Sequence, residues 1–258
     1  MTSQTPQVLP PISDPSVHAQ IDRLAQRYLA TQGLGMQMMA RLGNGADGLL
    51  QRLPGFVRNR LDGATKTALM RAFSAASGSR RVLRDRGDLF NRIVSTASGA
   101  AGGAAGFAGA LVELPFTVTL LLRAMLDIAA EHGLDPDSEE VRLECLRIFA
   151  AAGPMPADDQ TDLGLLAARL SVSGQTVQGL ISKVAPRLSI SLGQKMAAQA
   201  APVFGAVIGG SINFIFARYY QELSRVHFGL MRLSHETGIP TEALTEALRL
   251  SINRQDKS

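Results

Sequence analysis

The stretch "SGAAGGAAGFAGALVELPFTVTLLL", Ser98–Leu122, decides how the rest of the chain is read. It is uncharged except for Glu113, and its first half is almost wholly glycine and alanine. By length it could enter a membrane, because about 20 apolar residues cross the hydrocarbon core. Its content argues against a conventional span, since Gly and Ala gain little on leaving water and Glu113 at depth would cost roughly 3 kcal/mol. Small residues offer close approach instead. Gly99 and Gly103, and Gly102 and Gly106, lie four apart, so a helix built on them presents a flat strip to a second backbone. Pro115 lacks an N–H and disfavours helical angles at Leu114, which predicts a helix break with Glu113 at the start of a new helix.

A second segment echoes the first. In "KMAAQAAPVFGAVIGGSINFIFARYY", Ala197–Ala217 is uncharged between Lys195 and Arg218, and Gly205 and Gly209 are again four apart. Its strongly apolar part, Val203–Phe216, rises only about 21 Å as a helix, short of a hydrocarbon core of about 30 Å. Pro202 and Asn213 interrupt it. The two Gly/Ala-rich segments therefore read as a central helix pair that packs on itself and can face lipid or an acyl chain.

Elsewhere the pattern is helical. Ile21, Leu24, Ala25, Tyr28 and Leu29 recur at the spacing of one helix face. In "LDPDSEEVRLECLRIFAA", Asp135 is placed to cap, Pro136 suits a first turn, and Val141, Cys145, Ile148 and Phe149 form a stripe. A last helix starts near "IPTEALTEALRL" with Leu244, Leu248 and Ile252 in line. No run of period-two alternation argues for a sheet. The fold class is all-α, a helical bundle around the Gly/Ala pair. Residues 1–16, rich in Pro, Ser, Thr and Gln, read as a disordered leader, and 17–258 as one helical domain. The loop "GPMPADDQTD", Gly153–Asp162, divides it into halves 17–153 and 163–258.

Charge is unevenly spread over the 258 residues. The net is +4, yet residues 41–92 hold eleven Lys/Arg against four Asp/Glu. Arg58, Arg60, Lys66, Arg71, Arg80, Arg81 and Arg84 lie in that segment and suit an anionic membrane surface. Nucleic acid is not the expected partner: there is no Trp, and aromatic residues are 5% of the chain, so no base-stacking platform is evident. The single cysteine, Cys145, excludes an internal disulfide and suits a reducing compartment. No secretory signal opens the chain, so the cytoplasmic side is expected. Four histidines without an HExxH pattern, and no GxSxG or phosphate-loop motif, give no metal site, no cofactor and no catalytic residue to assign.

Taken in order, "SGAAGGAAGFAGALVELP", "LLLRAMLDIAAEHGLD", "RLECLRIFA" and "LGQKMAAQAAPVFGAVIGGSINFIFARYYQELSRVHFGLMRL" resemble the EcsC family from about Leu49 to Ile239. The family is named for a component associated with a bacterial ABC-transporter operon, and no established reaction comes with it. The resemblance implies family positions at Glu113, Leu114 and Pro115, at Arg123, at Glu144 and Cys145, and at Lys195, Pro202, Gly205, Gly209, Asn213, His227 and Phe228. Ser234 and His235 stand where charged residues are more usual. The expected function is a non-enzymatic, membrane-associated protein at the inner face of the cell membrane, peripheral or partly inserted. It would take lipid or another apolar ligand through Glu113, Pro115, Arg123, Lys195, Asn213 and His227 and support an ABC transporter. Two other readings compete: a lipid-acting, hydrolase-like enzyme using Glu113, Lys195 and His227 as a polar cluster, and a transporter adaptor with no ligand of its own. Each residue also has a plainer use. Glu113 complements a helix dipole, Arg123 and Asp127 pair on a helix surface, His227 is a satisfied helix-end histidine, and Cys145 is a small buried hydrophobe.

Overall fold

A computed structural model describes residues 12–42, 53–82, 106–149, 177–199 and 205–256. They form seven helices and no strand: α1 (Pro15–Leu42), α2 (Gly55–Val82), α3 (Gly106–Glu131), α4 (Glu139–Phe149), α5 (Val177–Gln199), α6 (Gly205–Thr237) and α7 (Thr241–Gln255). The all-α expectation holds. α6 is the hub, in contact with α1, α3, α4, α5 and α7, while α2 packs on α3 and α5.

Helix periodicity translates directly into burial. Ile21, Ala25 and Tyr28 are buried and Leu24 and Leu29 pack against the same core; Val141, Cys145, Ile148 and Phe149 are buried, as are Leu244, Leu248 and Ile252. Around α6 an aromatic group forms in which Phe149, Phe216 and Tyr219 each meet the Tyr220 ring edge-on, with centroids 5.2–5.3 Å apart. Such edge contacts add roughly 0.5–1.5 kcal/mol each beyond area burial. α1 is tied to α7 through Asp22, which accepts from Ser251 Oγ at 2.5 Å and from Gln255 Nε2 through its carbonyl at 3.3 Å.

Three sequence expectations are corrected. First, Pro115 does not break the helix: α3 runs through it from Gly106 to Glu131, so Glu113 lies within a helix and not at the start of one. Leu114, Val118, Leu121 and Leu122 are buried along the same helix, and at roughly 1.5–3 kcal/mol each they offset an interior-proline cost of about 3 kcal/mol. The Pro115 carbonyl accepts from Thr119 Oγ1 at 2.7 Å. Second, α4 starts at Glu139, one turn after the expected cap. Ser138 Oγ accepts from the Val141 N–H at 3.2 Å, and Asp135 instead closes the preceding turn through the Asp137 N–H at 3.0 Å. Third, α1 begins at Pro15, inside the stretch assigned to the leader, and Ile12 packs on the core.

The Gly/Ala pair is only partly on view. Gly99, Gly102 and Gly103 lie outside the described residues, as does the loop Gly153–Asp162. Gly106 opens α3, and Gly205 and Gly209 lie in the first turns of α6. The uncharged run Ala197–Ala217 is shared between the end of α5 and the start of α6. Among the described residues no helix is long and apolar enough to cross a membrane.

Two glycines end helices in the left-handed region. Gly133, at φ +77°, follows α3 in a six-to-one closure, Leu134 N–H to the Ala129 carbonyl at 3.0 Å, and Gly238, at φ +71°, follows α6. A third glycine is required by space. A Cβ on Gly229 would lie 2.8 Å from Leu24 Cδ2, where α1 crosses α6. Gly229→Ala meets the end of a movable side chain, and its better helix propensity offsets the clash. Gly229→Val cannot be absorbed that way and is expected to cost roughly 1–3 kcal/mol, read as a lower urea midpoint at unchanged slope.

Candidate functional site

The chemistry-bearing residues at the centre of the bundle are Glu144, Arg147 and His227. Periodicity places Glu144 beside the buried stripe of α4, and α6 brings His227 opposite it. Their side chains are 6% and 3% exposed, so both belong to the interior. His227 Nε2 lies 2.8 Å from Glu144 Oε2, and Arg147, one turn along α4, pairs with Glu144 Oε1. An ionised carboxylate only accepts, so His227 carries its proton on Nε2 and donates. Burial pushes the Glu144 carboxyl up, but the hydrogen bond and charge of His227 together with Arg147 outweigh it and hold the carboxyl below its ordinary value. The neighbouring Cys145 thiol is pushed well up by burial and by the Glu144 charge. It stays a neutral thiol and packs as a small hydrophobe.

This arrangement places a charge among groups that satisfy it. The His227 ring also meets Phe228 edge-on at 5.4 Å. The cluster therefore joins α4 to α6 through a desolvated, hydrogen-bonded pair, and removing one partner alone leaves a buried group uncompensated.

The sequence-derived site residues do not all gather here. His227 lies in the interior of α6, not at a helix end, and the acid it meets is Glu144, outside the trio of Glu113, Lys195 and His227. Lys195 is buried on α5 with its Nζ 5.7 Å from the centre of the Phe216 ring, a cation–π contact near the aromatic group. Arg123 is buried at 8% exposure, so it belongs to the interior of the bundle and not to an exposed helix surface. Pro115 is half-buried within α3. The side chains of Glu113 and Asn213 lie outside the described residues. No group of three or more His, Cys, Asp or Glu placed to hold a metal occurs among the described residues.

The EcsC protein-family model matches residues 79–233. That span covers more than half of the chain. The chain belongs to the EcsC protein family. No curated protein and no solved structure matches it. The EcsC segment takes in α3, α4 and α5, nearly all of α6 and the end of α2, and thus the whole Glu144–His227 cluster, while α1 and α7 lie outside it. At its downstream edge Ser234 takes a definite job: its Oγ donates to the Ile239 carbonyl at 2.7 Å and accepts from Thr241 Oγ1 at 3.2 Å, fixing the turn between α6 and α7.

The basic segment is the second candidate. On α2, Arg58, Arg60, Lys66 and Arg71 are all exposed, while Val57, Leu61, Ala68, Leu69 and Ala72 point into the core. Phe56, Gly63 and Met70, seven residues apart, follow the middle of the outward face, and Phe56 and Met70 are 54% and 43% exposed. By helical geometry Arg60 and Arg71 flank that line on one side and Lys66 on the other. Arg80 and Arg81 belong to the last turn of α2, with side chains outside the described residues, and Arg84 lies outside them altogether. Composition pointed to the charges. The two exposed apolar side chains among them became visible only once the packed face of α2 was known.

Proposed function

We propose that this EcsC-family chain is a non-enzymatic helical protein that lies on the inner face of the cell membrane, held to anionic lipid by the outward face of α2. The observation that carries this reading is that face: exposed Phe56 and Met70 between Arg60, Arg71 and Lys66, with Arg58 near its start and Asp62 the acidic residue on that turn. Apolar side chains in the headgroup region combined with cations attracted to the negative leaflet are the two terms of interfacial binding. Phe116 on α3 and Ile190 on α5 are also exposed apolar side chains. Lipid is the ligand class proposed for this face. The family's name supplies the setting, support of an ABC transporter or export process. The buried Glu144–His227 pair favours a structural part for the histidine over hydrolysis, since both side chains are occupied with each other in the interior.

Co-sedimentation with phosphatidylcholine vesicles, with and without phosphatidylglycerol, tests the reading. Binding is expected only when the anionic lipid is present, and it should weaken steeply at high salt because the exposed charges are screened within about 10 Å at 0.1 M. Equal binding to neutral vesicles, or none to either, would overturn it.

A further inference from the structure

Where α1 lies on α6, an open depression of about 440 Å³ is lined by Arg23, Gln26, Arg27, Ala30, Arg218 and Glu222. Helical spacing builds it. Arg23 and Arg27 are one turn apart on the outward edge of α1, and Arg218, Glu222 and Arg225 follow one another at four and three residues on α6. Glu222 is shared: Arg27 reaches its Oε2 at 2.6 Å and Arg225 its Oε1 at 3.2 Å. Its single charge thus aligns two guanidinium groups. Arg23 and Arg218, both exposed, enter no ion pair among the described residues. The nearest other acid on α1, Asp22, is engaged by Ser251 and Arg254 of α7. Of the residues that line the groove, Arg23, Arg27 and Arg218 stand against one carboxylate, Glu222. Burial, and after it the charge of Arg27, lowers the neighbouring Arg225 guanidinium from its ordinary range.

The geometry points to an anion site for a phosphate monoester in this α1–α6 groove, with Arg23 and Arg218 as the contacting forks and Glu222 positioning Arg27 beside them. Guanidinium presents paired donors that match the spacing of phosphate oxygens, and a dianion offsets most of the local charge excess where a monoanion would not. The groove is open to solvent, so the group bound there projects from a larger molecule or arrives free. Both sources share one chemistry, a terminal phosphate. The site depends on α1, which lies outside the EcsC segment, so it belongs to this chain and not to the matched region alone.

Calorimetric titration of the full chain with inorganic phosphate and pyrophosphate at constant ionic strength, with chloride as control, tests it. Phosphatidic acid in phosphatidylcholine vesicles forms a second arm. Saturable binding is expected in the wild type, weakened at least tenfold in Arg23→Ala/Arg218→Ala and unchanged in Lys183→Ala/Arg249→Ala, which removes two exposed cations elsewhere on the chain. The first pair is solvent-exposed, so its loss leaves the fold intact, checked by an unaltered Tm without ligand. Binding of the soluble anions identifies a free phosphate or small phosphoester; binding confined to phosphatidic acid and lost in the first pair identifies a lipid headgroup. No saturable binding in either arm, or equal weakening in both variants, overturns the site. Vesicle binding that survives Arg23→Ala/Arg218→Ala but fails in Lys66→Ala/Arg71→Ala would sink the groove and leave the membrane reading standing.

Discussion

Replacing Glu144 by alanine is expected to destabilise the chain by roughly 3–5 kcal/mol, the cost of breaking a buried charge pair from one side. For a domain of this size that is a fall in Tm of roughly 10 °C. The cause is local: His227, buried on α6, loses the acceptor 2.8 Å from its Nε2, and the part-buried Arg147 loses its ion pair with Glu144. Glu144→Gln, which keeps the volume and one acceptor, is expected to lose less, about 2 kcal/mol. A double-mutant cycle with His227→Ala should return a coupling of roughly 1–3 kcal/mol. Additive single effects would show that the pair does not act as a unit.

The same pair sets an acid limit. A carboxyl whose folded value lies below its unfolded one binds fewer protons when folded, so its contribution is fully present above the ordinary carboxylate range and is lost as the pH falls through the lowered value. Wild-type stability should therefore drop on acidification below the ordinary carboxylate pKa. In Glu144→Gln that part of the drop should be missing, with the two stability curves converging at low pH. Parallel curves would assign the acid sensitivity to other carboxylates.

The second large effect lies on the outside. Removing three cations from the α2 face, Arg60→Ala/Lys66→Ala/Arg71→Ala, is expected to weaken binding to anionic vesicles on the order of 100-fold, at about 1 kcal/mol per cation near the surface. Phe56→Ser/Met70→Ser should leave a weaker binding that is more sensitive to salt, because only the electrostatic term remains. Both sets of side chains are exposed, so thermal stability should shift by little. If the charge variant still sediments with the vesicles like the wild type, another face of the chain makes the contact.

Much of the architecture was legible in the residues because helices declare themselves locally. The stripes at Ile21–Tyr28, Val141–Phe149 and Leu244–Ile252 are set by a 3.6-residue period, and each proved buried. Pro115 was misjudged for a physical reason. A proline's local penalty is fixed, but whether it ends a helix depends on how much apolar surface the turns around it bury, and that is a property of the neighbours. The α4 start was misplaced because Asp135 and Ser138 are both competent to cap, and local preference alone does not choose between them.

The candidate sites divide along the same line. Composition alone located the basic segment and the residue types that could carry chemistry, since charge and periodicity are properties of the chain itself. The meeting of His227 with Glu144 joins residues 83 positions apart, and that of Arg27 with Glu222 joins residues 195 apart. No local rule encodes such separations. They arise when α6 docks on α4 and α1, because burying apolar stripes dictates how each helix is rotated, and that rotation selects which polar side chains face one another and which face water.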